Sequence, residues 1–168
     1  KKHNSMMINV SRFTRFQGRL KTTINQYLST LKDAIGNHYQ SAICPPENAC
    51  LNAVYTTWEK EFSQGEESWE TICRNLNAGV QTTHVIEVNG SREATALDYE
   101  QYPDGWNVIA VGGFNLSRGL TLEGLVVSYF LRSSIMYDTL MQMGRWFGFR
   151  PGYKDSSVPN CSATTSGA

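Results

Sequence analysis

The apolar positions of this chain follow two different periods, and the switches between them mark out the elements. Ser5 to Arg12 (SMMINVSR) is a short apolar run with β-branched members and reads as a buried strand. Phe16, Leu20, Ile24, Tyr27, Leu28, Leu31 and Ile35 then recur at helical spacing and stop at Gly36, which predicts an amphipathic helix ended by glycine. Pro45 and Pro46 interrupt the chain. A second helix is expected from about Glu47 to Phe62, and a third from about Glu67 to Leu76, ending near Gly79. His84 to Asn89 (HVIEVN) reads as a strand, and Tyr102 to Trp106 (YPDGW) carries the Pro-Asp-Gly chemistry of a tight turn. Asn107 to Gly113 (NVIAVGG) and Leu125 to Leu131 (LVVSYFL) are apolar throughout. Strands that do not alternate with polar residues are covered on both faces, as in a parallel sheet. Ser134 is placed to cap a last helix from about Ile135 to Phe147. This order predicts an α/β layer fold with right-handed crossovers. From Ser156 onward Ser and Thr dominate without any apolar period, which predicts a loose tail.

Composition narrows the class. At 40% hydrophobic and 18% charged, the 168 residues can bury a core as one domain or one module. No apolar run approaches the roughly 18 to 20 residues that cross a bilayer, and no secretory leader opens the chain. It begins at Lys1, which reads as a piece of a longer cytoplasmic protein. Cys44, Cys50, Cys73 and Cys161 form no CxxC pair and the histidines are scattered, so zinc-ligand spacing is missing. Reduced thiols are the default, with a Cys44 to Cys50 disulfide left open.

The formal net charge is +0, yet it is unevenly spread. Lys1, Lys2, Arg12, Arg15, Arg19, Lys21 and Lys32 open the chain with no acid among them. Acids dominate residues 33 to 104, and basic residues prevail again after Gly105. That pattern fits either one positive and one negative face or ordinary solvated helix surface.

Candidate chemistry follows from where parallel strands end, because ligands of open α/β sheets bind beyond the carboxyl ends. Gly112 to Leu125 (GGFNLSRGLTLEGL) leaves one such end. Its Gly112, Gly113 and Gly119 admit a ligand close to the backbone, Ser117 offers a hydroxyl and Arg118 a fixed charge. The plain alternative is a turn with Arg118 paired to Glu123. Met141 to Tyr153 (MQMGRWFGFRPGY) sets Arg145 and Arg150 five apart across Gly148. A guanidinium suits phosphate through its planar fork and permanent charge. The alternative makes both arginines surface ion-pair partners, with Trp146, Phe147 and Phe149 in the core.

Together these segments resemble motifs V and VI of superfamily 2 helicases and translocases, which belong to the second RecA-like domain of those enzymes. GGFNLSRGLTLEGL, YFLRSSIMYDTLMQMGRWFGFRPGY and SMMINVSRF are more closely similar to the Z1 domain family, over about Lys2 to Asp155. That family comprises bacterial and phage proteins associated with endonuclease function, helicase modules and restriction-type defence. The resemblance implies a RecA-like three-layer α/β domain, with a mainly parallel sheet and helices on both faces. It implies that Arg145 and Arg150 are the motif VI arginines reaching a nucleotide, and that Gly113, Ser117, Arg118 and Gly119 form the nucleotide-sensing loop. Ser11, Arg12, Arg118 and Arg132 become nucleic-acid contacts, with DNA the expected partner. The pattern departs in three places: Gln142 stands two before Gly144 rather than three, Arg150 five after Arg145 rather than three, and Thr121 replaces a frequent Asp.

No GxxxxGK[ST] loop exists in the sequence, so the chain cannot cradle ATP phosphates by itself. On the helicase reading, ATP and Mg²⁺ sit mainly on an upstream RecA-like ATPase domain, and this chain supplies the far wall of the cleft. A metal-dependent nuclease is the alternative. It needs clustered carboxylates, commonly with a lysine two residues after one of them. No Asp or Glu here has that lysine, which leaves Glu87, Asp98, Asp104, Glu123 and Asp138 to converge in space. A second alternative is a non-catalytic nucleic-acid-binding module built on the basic residues.

Overall fold

The computed structural model describes residues 3–10, 13–38, 46–88, 97–113 and 122–130. Within them the elements run β1 (Asn4–Asn9), α1 (Thr14–His38), α2 (Ala49–Glu61), α3 (Trp69–Gln81), β2 (Thr83–Val88), β3 (Asn107–Gly112) and β4 (Leu125–Phe130). The four strands form one sheet in the order β2-β3-β1-β4, every neighbouring pair parallel. The α/β class and the parallel sheet therefore stand as expected. The helix expected over 135–147 and the tail from Ser156 lie outside the described residues.

Burial on both faces explains the apolar run of β3, whereas β4, last in the strand order, is half-buried among the described residues. Met6 and Ile8 of β1 and Val10 just after it, with Val85, Ile109 and Val111, pack under Leu20, Ile24 and Leu28 of α1. Met7, Val88, Val108 and Ala110 point the other way, against Leu97, Tyr99, Trp106 and Leu122. The described helices thus cover one face, and a 3₁₀ turn (Tyr99–Gln101) with its flanking residues closes the other. α3 adds Val80 to the α1 side, and Tyr55 and Trp58 of α2 meet Trp69 of α3 with ring centroids 5.1 and 5.6 Å away.

Local chemistry sets the ends. Asn48 caps α2, its Oδ1 accepting from the Cys50 and Leu51 amides at 3.0 and 3.3 Å, and Ser68 caps α3 through the Thr71 amide. In YPDGW, Gly105 takes φ 96° and its amide donates to the Tyr102 carbonyl at 2.9 Å, closing the predicted turn. Cys50 and Cys73 are free thiols, so Cys50 is not held in a disulfide.

Two sequence expectations fail. Gly36 does not end α1, which continues to His38, and Gly79 lies inside α3, which runs to Gln81. Interior glycine costs a helix only about 1 kcal/mol. Fully buried Ile35, and the Lys32 ammonium bonded to the Gln81 and Thr83 carbonyls, hold the two helix ends together. The apolar stripe of α1 is also narrower than its periodicity suggests. Leu28 and Ile35 are buried, whereas Phe16 and Tyr27 are 49% and 61% exposed, on the margin of the stripe.

Candidate functional site

The strand register brings four residues into one row at the carboxyl edge of the sheet. Val88 pairs with Gly112, Gly112 with Asn9, and Asn9 with Phe130. The amide of Val10 donates to the Gly112 carbonyl at 2.9 Å, carrying the β1–β3 ladder one residue further. Beyond this row the chain continues, by sequence, into Ser11-Arg12 after β1, residues 114–121 after β3 and Leu131 onward after β4. All three segments that carry the predicted site residues therefore leave the sheet from the same edge.

The row is tightly built. Gly112 and Gly113 are buried and Asn9 is 4% exposed. α1 begins just past β1, with no acid in its first turn and with Arg15 and Arg19 exposed. The Glu87 carboxylate lies against this helix, 3.7 Å from where a Cβ on Gly18 would stand. The start of α1 therefore carries two exposed cations with one carboxylate packed against the helix beside them.

Of the predicted site residues, Gly113 falls within the described part, buried at the end of β3. Ser11, Arg12, Ser117, Arg118, Gly119, Arg132, Arg145 and Arg150 lie outside the described residues. Glu123 Oε2 lies 3.7 Å from His3 Nε2, and the alternative pairing of Arg118 with Glu123 falls outside the described residues. Among the described residues no group of three or more His, Cys, Asp or Glu side chains comes together as a metal site. Glu87, Asp98, Asp104 and Glu123 therefore do not converge as a nuclease centre would require.

Sequence reasoning did not find two features. Ser5 and Tyr99 join hydroxyl to hydroxyl at 2.8 Å beneath the sheet, and neither residue type signals such a pairing 94 positions away. A cavity of about 550 Å³ lies at the other end of the sheet, against the first residues of β2, away from the row at the carboxyl edge. Among the described residues no helix is long and apolar enough to cross a membrane. A family model described as Z1 domain matches residues 1–157. No curated protein and no solved structure matches the chain.

Proposed function

We propose a function from one premise: the chain belongs to the Z1 domain family. It acts as the second motor domain of an ATP-dependent, superfamily 2 type DNA helicase or translocase in a restriction-type or phage-defence system. ATP and Mg²⁺ are held mainly by an upstream RecA-like domain, and this chain closes the cleft from the far side. Arg145 reaches the γ-phosphate, where a fixed guanidinium stabilises charge that builds as the phosphoryl group transfers. Arg150 assists it. Gly113, Ser117, Arg118 and Gly119 sense the nucleotide, and Ser11, Arg12, Arg118 and Arg132 touch the DNA backbone.

The observation that supports this reading is the row Val88, Gly112, Asn9, Phe130. It gives Ser11-Arg12, the 114–121 segment and the segment with Arg145 a common origin, at the sheet edge where α/β proteins bind ligands. Coupling a nucleotide to a nucleic-acid track requires such neighbours. The exposed Arg15 and Arg19 extend a basic surface along α1 from the same edge. The nuclease alternative finds no support among the described carboxylates.

Filter binding of DNA at a series of salt concentrations tests the reading. If about four to six phosphates are contacted, log K should fall against log salt with a slope of about −4 to −5, largely independent of sequence. Salt-insensitive binding would contradict it. The chain alone should hydrolyse no ATP.

A further inference from the structure

We infer that the cavity beside β2 is a docking groove for an extended peptide, which joins the open edge of the sheet as a further strand and carries an acidic and a basic residue side by side. The lining locates the groove. Four consecutive residues, Thr83 to Ile86, contribute to it. They point to opposite faces, since Val85 packs in the α1 cluster and Ile86 against the cluster on the other side. Asn25, Ser29 and Lys32 wall the cavity on the α1 side, and Asp98, Gln101 and Tyr102 on the other. A space bounded by both layers and by both faces of one strand lies at the edge of the sheet. β2 is the end strand of the order β2-β3-β1-β4.

An edge strand presents a row of backbone N–H and C=O groups that can pair with another chain. Here the Thr83 carbonyl accepts from the Lys32 ammonium at 2.9 Å. Among the described residues, the backbone of His84, Val85 and Ile86 bonds only along its ladder with β3. The two walls also carry opposite charges that do not meet. Lys32 donates to the Gln81 and Thr83 carbonyls, which leaves one of its three protons. Asp98 accepts from the Glu100 amide at 3.2 Å and from Gln101 Nε2 at 2.8 Å, both neutral donors, and keeps its full negative charge. Among the described residues, neither Lys32 nor Asp98 has an oppositely charged side chain within 4.0 Å.

That selects the occupant. Alternate side chains of a strand point to opposite faces, so two neighbours in an added strand reach different walls. An acid turned toward α1 answers Lys32, and the basic residue next to it answers Asp98. A peptide with charges of one sign would leave one wall unanswered. Main-chain bonds to β2 supply affinity, and the two charged walls supply specificity. The four β2 residues of the groove span about 13 Å, which fits about four residues of an extended partner. A second copy of this chain would bring its own α1 against the first, whereas a lone segment fits between the walls. The groove stands apart from the row at the carboxyl edge and does not depend on the motor reading.

The test titrates the ¹⁵N-labelled full chain with the peptide Ac-Thr-Val-Glu-Lys-Val-Thr-amide, followed by ¹H–¹⁵N NMR and amide hydrogen exchange. Saturable shifts should centre on β2. The outward-facing amides among His84, Val85 and Ile86 should exchange about tenfold or more slowly in the complex, as new strand pairing requires. Versions with Glu-Glu or Lys-Lys at the centre should bind about tenfold or more weakly. The Glu-Lys peptide N-methylated at its central amides should lose binding, because it cannot pair with a strand. Ser29→Trp starts from an exposed helix position and fills the groove, so it should abolish the shifts in a chain that still folds. The absence of a saturable shift with the Glu-Lys peptide would overturn the proposal. So would equal binding by a single-sign or N-methylated peptide, or by the Ser29→Trp chain. Protection of the same amides that rises with protein concentration in the absence of peptide would overturn it in favour of a second copy.

Discussion

Ser5 and Tyr99 share a buried hydroxyl pair at 2.8 Å, and Ser5 also donates its single proton to the Glu123 carbonyl at 2.6 Å. Ser5 has no second proton, so Tyr99 must be the donor between them. This chain of two bonds ties β1 to the 3₁₀ turn and to the residues that lead into β4. Tyr99→Phe should destabilise the fold by about 1 to 2 kcal/mol, and Ser5→Ala by about 1 to 3 kcal/mol because it strands the tyrosine hydroxyl. Urea denaturation of both variants and of the double variant checks this. The double variant should lose less than the two losses added, since both remove the same bond.

Burial pushes the Tyr99 hydroxyl above the ordinary tyrosine value of 10.0. The folded protein then keeps this proton to higher pH than the unfolded chain does. The stability it contributes is complete below about pH 10 and is lost as pH rises beyond that, because the unfolded chain releases its proton first. Denaturation midpoints measured between neutral pH and about pH 11 should therefore fall more steeply for wild type than for Tyr99→Phe. Parallel curves would show that the hydroxyl is not buried in this way.

Glycine positions separate geometry from mere spacing. Gly124 takes φ +63°, and a Cβ there would stand 1.7 Å from the His3 carbonyl oxygen. Its own carbonyl accepts from the Ser5 amide at 2.9 Å, at the irregular first pairing of β1 with β4. Gly124→Ala should cost about 3 kcal/mol or more, from the left-handed backbone and the backbone clash together. Gly79 lies inside α3 with nothing within 4 Å of a Cβ, so Gly79→Ala should stabilise by about 0.5 to 1 kcal/mol. Thermal melts of the two variants should move in opposite directions.

Much of the fold was legible because its signals are local. The runs around Val108 and Val127 do not alternate polar with apolar, which is the pattern of a parallel sheet. Asn48 and Ser68 are ordinary caps. Gly36 and Gly79 misled because a helix end depends on tertiary partners, here Lys32 reaching across to Gln81 and Thr83, as well as on the residue at the boundary. Phe16 and Tyr27 misled because a 3.6-residue period fixes the centre of an apolar stripe better than its width. The strand exits were readable from NVIAVGG and SMMINVSR. Their alignment in one row was not, since register arises from pairing between strands. The cavity at Lys32 and Trp106 was hidden for the same reason, its walls coming from residues about 75 positions apart.

The claim that organises the functional reading is that Arg145 acts on ATP held by a neighbouring domain. Its most direct test is DNA-stimulated ATP hydrolysis by a parent protein that joins this chain to the upstream RecA-like domain the proposal calls for, wild type against Arg145→Ala. The account predicts that kcat falls by about 10³-fold or more, while DNA binding and thermal stability stay unchanged. ATP hydrolysis that survives at the wild-type rate in Arg145→Ala would contradict it.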